Sequence, residues 1–220
     1  SSLPYDLESM WEGREGNDIW LINVMNGKAD LVKKQIKARV RFSPAGKYLY
    51  WYNEPDSSWY SYDVDARKEY RLTRPDNLAV WDELNDVPDL PGSYAPAGWL
   101  KDDRAFLVSD RYDIWSLDPV AGRDPVNVTL NGRKEGIRYR MIDLDTENLY
   151  IDPSERQFLE GKYEHTRNDA FFSLDLRKKD PPARLTGGAF SLGTPVRSKN
   201  SDIVIYTRET FEVFPDYYLS

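Results

Sequence analysis

The residues that could do chemistry fall in two charged stretches. Asp110-Arg111-Tyr112-Asp113 sets an arginine between two acids. Such a set can form a buried ion network that pins a strand, or it can present donors and acceptors to a ligand. The structural role is the preferred reading. Asp82, Glu83, Asp86 and Asp89 crowd the second stretch. Carboxylates in pairs can do the acid/base work of glycoside hydrolysis or hold calcium. Pro88 and Pro91 break the alternate acid positions of a calcium loop, so these acids read as turn caps in a solvated loop. Asp110, Arg111, Asp113 and Glu83 are the candidate substrate-binding residues. No catalytic residue, cofactor or metal is assigned.

The usual nucleophiles lack their settings. A serine hydrolase needs Gly-x-Ser-x-Gly on a strained strand-to-helix turn. Ala189-Phe190-Ser191-Leu192-Gly193 lacks the first glycine, and no helical pattern follows it. The single histidine, His165, sits in the polar run Glu164-His165-Thr166-Arg167 and reads as a surface side chain. A Ser-His-Asp triad would need it as the proton shuttle. With no cysteine there is no thiolate nucleophile, no disulfide and no thiolate metal site. Asn127-Val128-Thr129 matches the glycosylation sequon, but Thr129 is better explained by the repeat described below. The chain is therefore read as carrying no enzyme activity of its own.

Composition narrows the class. The net charge of -7 argues against a phosphate-neutralising surface. The densest basic runs, Lys33-Lys34 and Arg177-Lys178-Lys179, read as solvated turns. No run of about 18 apolar residues offers a membrane span. The aromatic content, 7 Trp, 15 Tyr and 8 Phe, suits the half-buried faces of strands. Ser1-Ser2-Leu3-Pro4 has no initiator Met, and Tyr217-Tyr218-Leu219-Ser220 stops inside an apolar run. The chain reads as a piece of something longer at both ends.

What must position the charged stretches is a repeat. Its first part is a polar turn before a short apolar strand. The clearest copy is Ser43-Pro44-Ala45-Gly46-Lys47 before Tyr48-Leu49-Tyr50-Trp51-Tyr52. Further copies run from Lys101 to Val108, from Asp152 to Leu159 and from Ser198 to Tyr206, with Asp202 in the last turn. The second part is an aromatic-led strand, beginning at Trp20, Tyr60, Trp115, Phe172 and Tyr217. Its alternation predicts a strand with one wet face. A closing dipeptide follows: Leu72-Thr73, Val128-Thr129, Leu185-Thr186. The aromatics are 40, 55, 57 and 45 residues apart, against roughly 40 to 50 for a four-stranded propeller blade. Insertions at 77-97 and 131-148 absorb the excess. Residues 28 to 40 come nearest to a helical period, yet Val32, Ile36 and Val40 suit a strand equally well.

The expected fold is all-β: a WD40-like β-propeller of antiparallel blades, about four of them, forming one domain over 1-220 and part of a larger propeller. The blades are placed at 5-37, 38-74, 98-130, 149-187 and, in part, 193-220. Trp11, Trp51, Trp59, Trp81, Trp99 and Tyr94 could anchor partners, though most are expected to fill the spaces between blades. Open blade edges invite pairing, so a homodimer through those edges is expected.

Three strings carry a family resemblance. They are Asp86-Val87-Pro88-Asp89-Leu90-Pro91-Gly92-Ser93-Tyr94 with Gly98-Trp99, then Asp110 to Pro119, and Tyr206-Thr207-Arg208-Glu209-Thr210-Phe211 with Phe214-Pro215-Asp216-Tyr217-Tyr218. With the blade motif around Ser43 and Trp59, they resemble the N-terminal propeller of prolyl oligopeptidase and dipeptidyl peptidase IV-like serine peptidases, the large exported bacterial members above all. The resemblance covers nearly the whole chain. It implies a periplasmic or extracellular protein in which the propeller gates and orients peptide substrates for a C-terminal α/β-hydrolase domain of the same parent chain. In the dipeptidyl peptidases a pair of propeller glutamates holds the substrate's amino end. Glu83 beside Asp82 is the nearest pair here, and that role is not carried over. The alternative is a stand-alone propeller that binds proteins or peptides.

Overall fold

The computed structural model describes Tyr5 and residues 16–145, 147–201 and 203–219. Ser1, Ser2, Leu3, Pro4, Trp11, Asp202 and Ser220, named above, lie outside this set. The described strands form antiparallel sheets that follow one another along the chain. Sheet I pairs β1 (Asn17–Ile22) with β2 (Ala29–Ile36). Sheet II is β3 (Arg41–Phe42), β4 (Tyr48–Asn53), β5 (Ser58–Asp63) and β6 (Lys68–Arg71). Sheet III is β7 (Pro96–Trp99), β8 (Phe106–Ser109), β9 (Ile114–Leu117) and β10 (Val126–Asn127). Sheet IV is β11 (Ile137–Ile142), β12 (Arg156–Tyr163), β13 (Asp169–Asp175) and β14 (Ala183–Gly187). In sheets II to IV the strands pair in sequence order, the four-stranded meander of a propeller blade. Sheet V centres on β17 (Val204–Glu209), with β18 (Asp216–Leu219) on one side. On its other side lie two short strands, β15 (Ser191–Leu192) and β16 (Val196–Arg197). A single helical turn, α1 (Gly132–Glu135), precedes β11. No helix among the described residues is long and apolar enough to cross a membrane.

Residues 29 to 36 are a strand, so the β-branched side chains prevailed over the helical spacing. The insertion at 77-97 holds a bridge between Trp81 and Ser93, and its last two residues already belong to β7. The stretch 131-148 is not only an insertion: it contains α1 and β11, so sheet IV begins at Ile137 and not at 149.

The core lies between sheets, not within them. On β4 and β5, Trp51 and Tyr60 stack at 5.7 Å and face Ile19, Leu21 and Val32 of sheet I. The opposite faces of the same strands turn Tyr48, Tyr50 and Trp59 towards Trp99 and Phe106 of sheet III. Phe106 meets the rings of Trp99, Tyr50 and Trp59 at 4.8, 4.9 and 5.1 Å, each pair contributing about 0.5–1.5 kcal/mol beyond burial. This explains why Tyr48 to Tyr52 reads as an unbroken apolar run: both faces are covered. It also corrects the wet face inferred from alternation. Ser58 and Ser61 are fully buried, and Ser61 donates its hydroxyl proton to the Pro119 carbonyl in the turn between β9 and β10 of sheet III. Sheets III and IV share a second core around Leu107, Ile114, Tyr139, Leu159 and Phe172.

Polar locks fix the seams. Asp103, buried, accepts from Ser43 Oγ at 2.6 Å and from the amides of Ala45 and Lys47. The turn between β3 and β4 is thereby tied to sheet III. The closing threonines have a similar cause. Thr73 Oγ1 accepts the Trp59 amide at 2.9 Å, and Thr129 Oγ1 accepts the Ile114 amide at 3.0 Å. Each hydroxyl stands in for a missing ladder carbonyl at the first residues of the neighbouring strand. Thr186 departs from the pattern and takes a bond from Arg208 instead.

Candidate functional site

Because the strands alternate direction, the β8–β9 and β12–β13 hairpins emerge at the same end as the crossings from one sheet to the next. Asp110, Arg111 and Asp113 occupy the β8–β9 hairpin, and Glu83 lies on the crossing between β6 and β7.

The hairpin is self-wired. Asp110 is buried, and its Oδ1 accepts the amides of Tyr112 and Asp113 at 2.6 and 2.5 Å, the Asx-turn habit of aspartate. Its Oδ2 accepts from Trp115 Nε1 at 3.1 Å. Asp113 is also buried and reaches the next crossing. Its Oδ1 accepts from Thr129 Oγ1 at 2.6 Å and from the Gly132 amide at 2.8 Å, while Oδ2 accepts the Arg133 amide at 3.0 Å. A Cβ at Gly132 would lie 2.7 Å from Asp113 Oδ1 and 2.9 Å from two backbone oxygens, so only glycine fits there.

Held in this way, Arg133 places its guanidinium over the Tyr112 ring at 4.8 Å. Its Nη2 lies 3.2 Å from Glu83 Oε2 and 3.6 Å from Asp110 Oδ2. Burial works against the Arg133 charge, but Glu83 and Asp110 outweigh it and hold the guanidinium protonated. Arg111 also lies over the Tyr112 ring, at 5.1 Å, and donates to Glu164 in the β12–β13 hairpin. The Tyr112 hydroxyl donates to the second oxygen of Glu164. These two bonds, the tyrosine's first, hold the Glu164 carboxyl below the usual carboxylate range.

Arg140, on β11, extends the cluster. It donates to the carbonyls of Tyr139 and Arg111 at 2.6 and 3.3 Å and lies 5.2 Å from the Tyr94 ring centroid. Burial pulls its guanidinium pKa down. Tyr94 in turn donates to Asp82 Oδ1 at 3.2 Å and accepts the Glu83 amide. Arg138, on the same face of β11, makes no side-chain hydrogen bond or ion pair among the described residues, and its buried Nε has no partner. The buried Nε of Arg111 is unpaired as well.

The structure thus brings Glu83, Asp110 and Asp113 around Arg133 and sends Arg111 to Glu164. Sequence reasoning missed Arg133, Arg138, Arg140 and Glu164. The two β11 arginines alternate with Ile137, Tyr139 and Met141, a strand pattern that would have exposed them. Nothing local in the sequence announces Glu164, which lies 53 residues from Arg111. Glu83 serves Arg133 here, and Asp82 caps the Leu84 amide and meets Tyr94. His165 is exposed, and Ser191 opens β15, facing Glu209 across the ladder, with β16 and no helix after it. Asn127 caps the amides of Thr129 and Leu130. Trp51, Trp59 and Trp99 are buried between sheets.

No family model matches the chain, and no curated protein matches it in sequence. Solved structures do match. Oligogalacturonate lyase from Vibrio parahaemolyticus is similar at a TM-score of 0.55 and 9% identity, over 88% of this chain and 53% of its own. TolB from Acinetobacter baumannii follows at 0.45 and 12%, over 99% of this chain and 54% of its own. A structure described as the Dos1 propeller gives 0.44 and 12%, over 93% and 48%. The chain spans about half the length of these three structures. At these identities the likeness concerns the fold alone; the chain is an all-β structure whose four-stranded meanders are β-propeller blades.

Proposed function

We propose that this chain is a non-catalytic β-propeller segment of a prolyl-oligopeptidase-type serine peptidase, exported in a bacterium, whose loop end orients short peptides for an α/β-hydrolase domain elsewhere in the parent protein. The observation that supports this reading is the charged cluster. Arg111, Arg133, Arg138 and Arg140 gather at one end of the sheets and hold more donors than Glu83, Asp110 and Glu164 take up. The four carboxylates of Glu83, Asp110, Asp113 and Glu164 share that end, and the Nε groups of Arg111 and Arg138 keep no partner among the described residues. Peptide carbonyls and carboxylates accept from guanidiniums, and the Tyr94 and Tyr112 rings offer apolar contact beside them. Bond cleavage belongs to the hydrolase domain. The propeller's part is positioning, which alone can supply several kcal/mol towards a reaction barrier.

The second reading, an interaction module, draws on Phe211 and Phe214, both exposed in the β17–β18 hairpin at the same end. One set of measurements separates the two. Calorimetric titration with short proline-containing peptides should show binding that Arg133→Ala weakens about tenfold, the loss of one charge-assisted bond. A fluorophosphonate probe should label the parent protein and leave this chain unlabelled. Labelling of the chain itself, or a parent reading frame without Gly-x-Ser-x-Gly, refutes the peptidase reading. A stable protein partner with no peptide binding establishes the interaction module.

A further inference from the structure

A cleft opens at the seam between sheets IV and V. Phe171 and Tyr206 meet edge to face at 5.3 Å, and beside them opens a cleft of about 540 Å³. That volume is within the range of small-ligand sites. Its apolar walls are Leu144, Phe158, Phe171, Leu185 and Val204. Arg156 and Arg197 also line it, against one acid, Glu155. Among the described residues Arg156 makes a single long contact, Nη1 to Ser173 Oγ at 3.5 Å, and no ion pair.

Further donors stand on β14 and β17. Arg208 is clamped between the rings of Phe190 and Tyr218, 4.4 Å from each centroid. Its Nη2 donates to Thr186 Oγ1 at 3.3 Å and to the Tyr206 hydroxyl at 3.4 Å. Both residues line the cleft. A hydroxyl that accepts from a guanidinium keeps its own proton to give. The cleft therefore has a cationic part, apolar walls and hydroxyl donors along them.

We propose that this cleft binds the C-terminal residue of a peptide. A large apolar side chain packs against Phe158, Phe171 and Leu185. The α-carboxylate meets Arg156 and Arg197, and the hydroxyls of Tyr206 and Thr186 donate to the preceding carbonyl. A peptide suits this mixture better than an alkyl chain, which would leave those hydroxyls unpaired. The site lies between sheets IV and V, away from the Arg133 cluster, and does not depend on a hydrolase domain.

The test is calorimetric titration of the whole chain with N-acetyl-Gly-Ala-Phe as free acid and as amide. The acid should bind at least about tenfold more tightly, the loss expected for a charge-assisted bond. Arg156→Gln and Arg197→Gln, both at exposed side chains, should each weaken the acid about tenfold and leave the amide unchanged. Leu185→Trp should block the cleft and abolish binding of both. Equal affinity for acid and amide, no binding of the acid at millimolar concentration, or unaltered binding in the arginine variants overturns the proposal. So does decanoate binding as tightly as the peptide. Arg133→Ala should leave the acid's affinity unchanged; its loss would move the peptide to the charged cluster and overturn this site while sparing the reading above.

Discussion

Exchanging Asp103 for asparagine should unlock the seam between sheets II and III. The carboxylate accepts from Ser43 Oγ at 2.6 Å and from the amides of Ala45 and Lys47 at 3.1 and 3.2 Å. Asp103 and Ser43 are both buried. A buried bond to a charged acceptor contributes about 1.5–3 kcal/mol, and asparagine, retaining one oxygen without the charge, keeps roughly half of it. Its amide then faces the Ala45 N–H donor to donor. Ala45 is exposed, so water limits that penalty to about 0.5–1 kcal/mol. The expected total is about 2 kcal/mol, or a Tm lower by about 4–8 °C for a chain of this size. Asp103 has φ +55°, a conformation asparagine tolerates, so backbone strain does not confuse the result. The assay is thermal unfolding followed by circular dichroism, with Ser43→Ala and the double variant completing a cycle. The coupling energy should be about 1 kcal/mol or more. A Tm within 1 °C of the parent, or strictly additive effects, would refute the lock.

Thr129→Val keeps the shape but strips a donor from Asp113 and an acceptor from the Ile114 amide; it should cost about 2–4 kcal/mol in denaturant unfolding. Thr73→Val loses only the Trp59 bond and should cost about 1 kcal/mol in the same measurement. A Cβ at Gly161 would lie 2.4 Å from Phe172 Cε2 and 3.0 Å from Ile137 Cγ2, so Gly161→Ala should destabilise sheet IV by about 1–3 kcal/mol, read as a lower denaturation midpoint. The Glu164 carboxyl is held low by Tyr112 and Arg111, so its contribution is present above the unfolded value of about 4.3 and lost as pH falls through the lower folded value. Glu164→Gln should therefore lower Tm at pH 7, and the difference from the parent should shrink as pH falls through the carboxyl's folded value.

The sequence repeat had three parts, whereas sheets II to V each have four strands. The parts that were legible, the turn with its apolar strand, the aromatic-led strand and the closing threonine, correspond mainly to β4, β5 and β6 and their counterparts. Their residues face neighbours on both sides, so chemistry constrains them similarly in every copy. The strand that escaped notice is the first: β3, β7, β11 and the pair β15 and β16. It sits at one edge of its sheet as the fourth strand sits at the other, but it carries no recurring side chain such as the closing threonine, and its residues vary from Arg41-Phe42 to Ile137-Arg138-Tyr139-Arg140. The candidate site was legible by half for a related reason. Asp110 announces itself because its side chain wires its own hairpin, and Asp113 stands beside it although its carboxylate reaches the next crossing. Arg133 and Glu164 gain their partners only when successive sheets stack, and that contact leaves no mark at fixed spacing.

The seams differ in strength. Between sheets II and III one phenylalanine is ringed by three aromatic side chains and the Asp103 lock closes the turn beside it. Between IV and V one edge-to-face pair stands next to an open cleft, joined by bonds from Leu192 to Asp169 and from Arg208 to Thr186. Such a chain has a built-in order of failure under load. Tension applied at its C-terminus should peel sheet V away first, at low force, and the next step should wait for the tyrosine- and tryptophan-rich joint to tear. A force–extension trace would register these as two rips of unequal height, and a single rip would show that the joints share the load evenly.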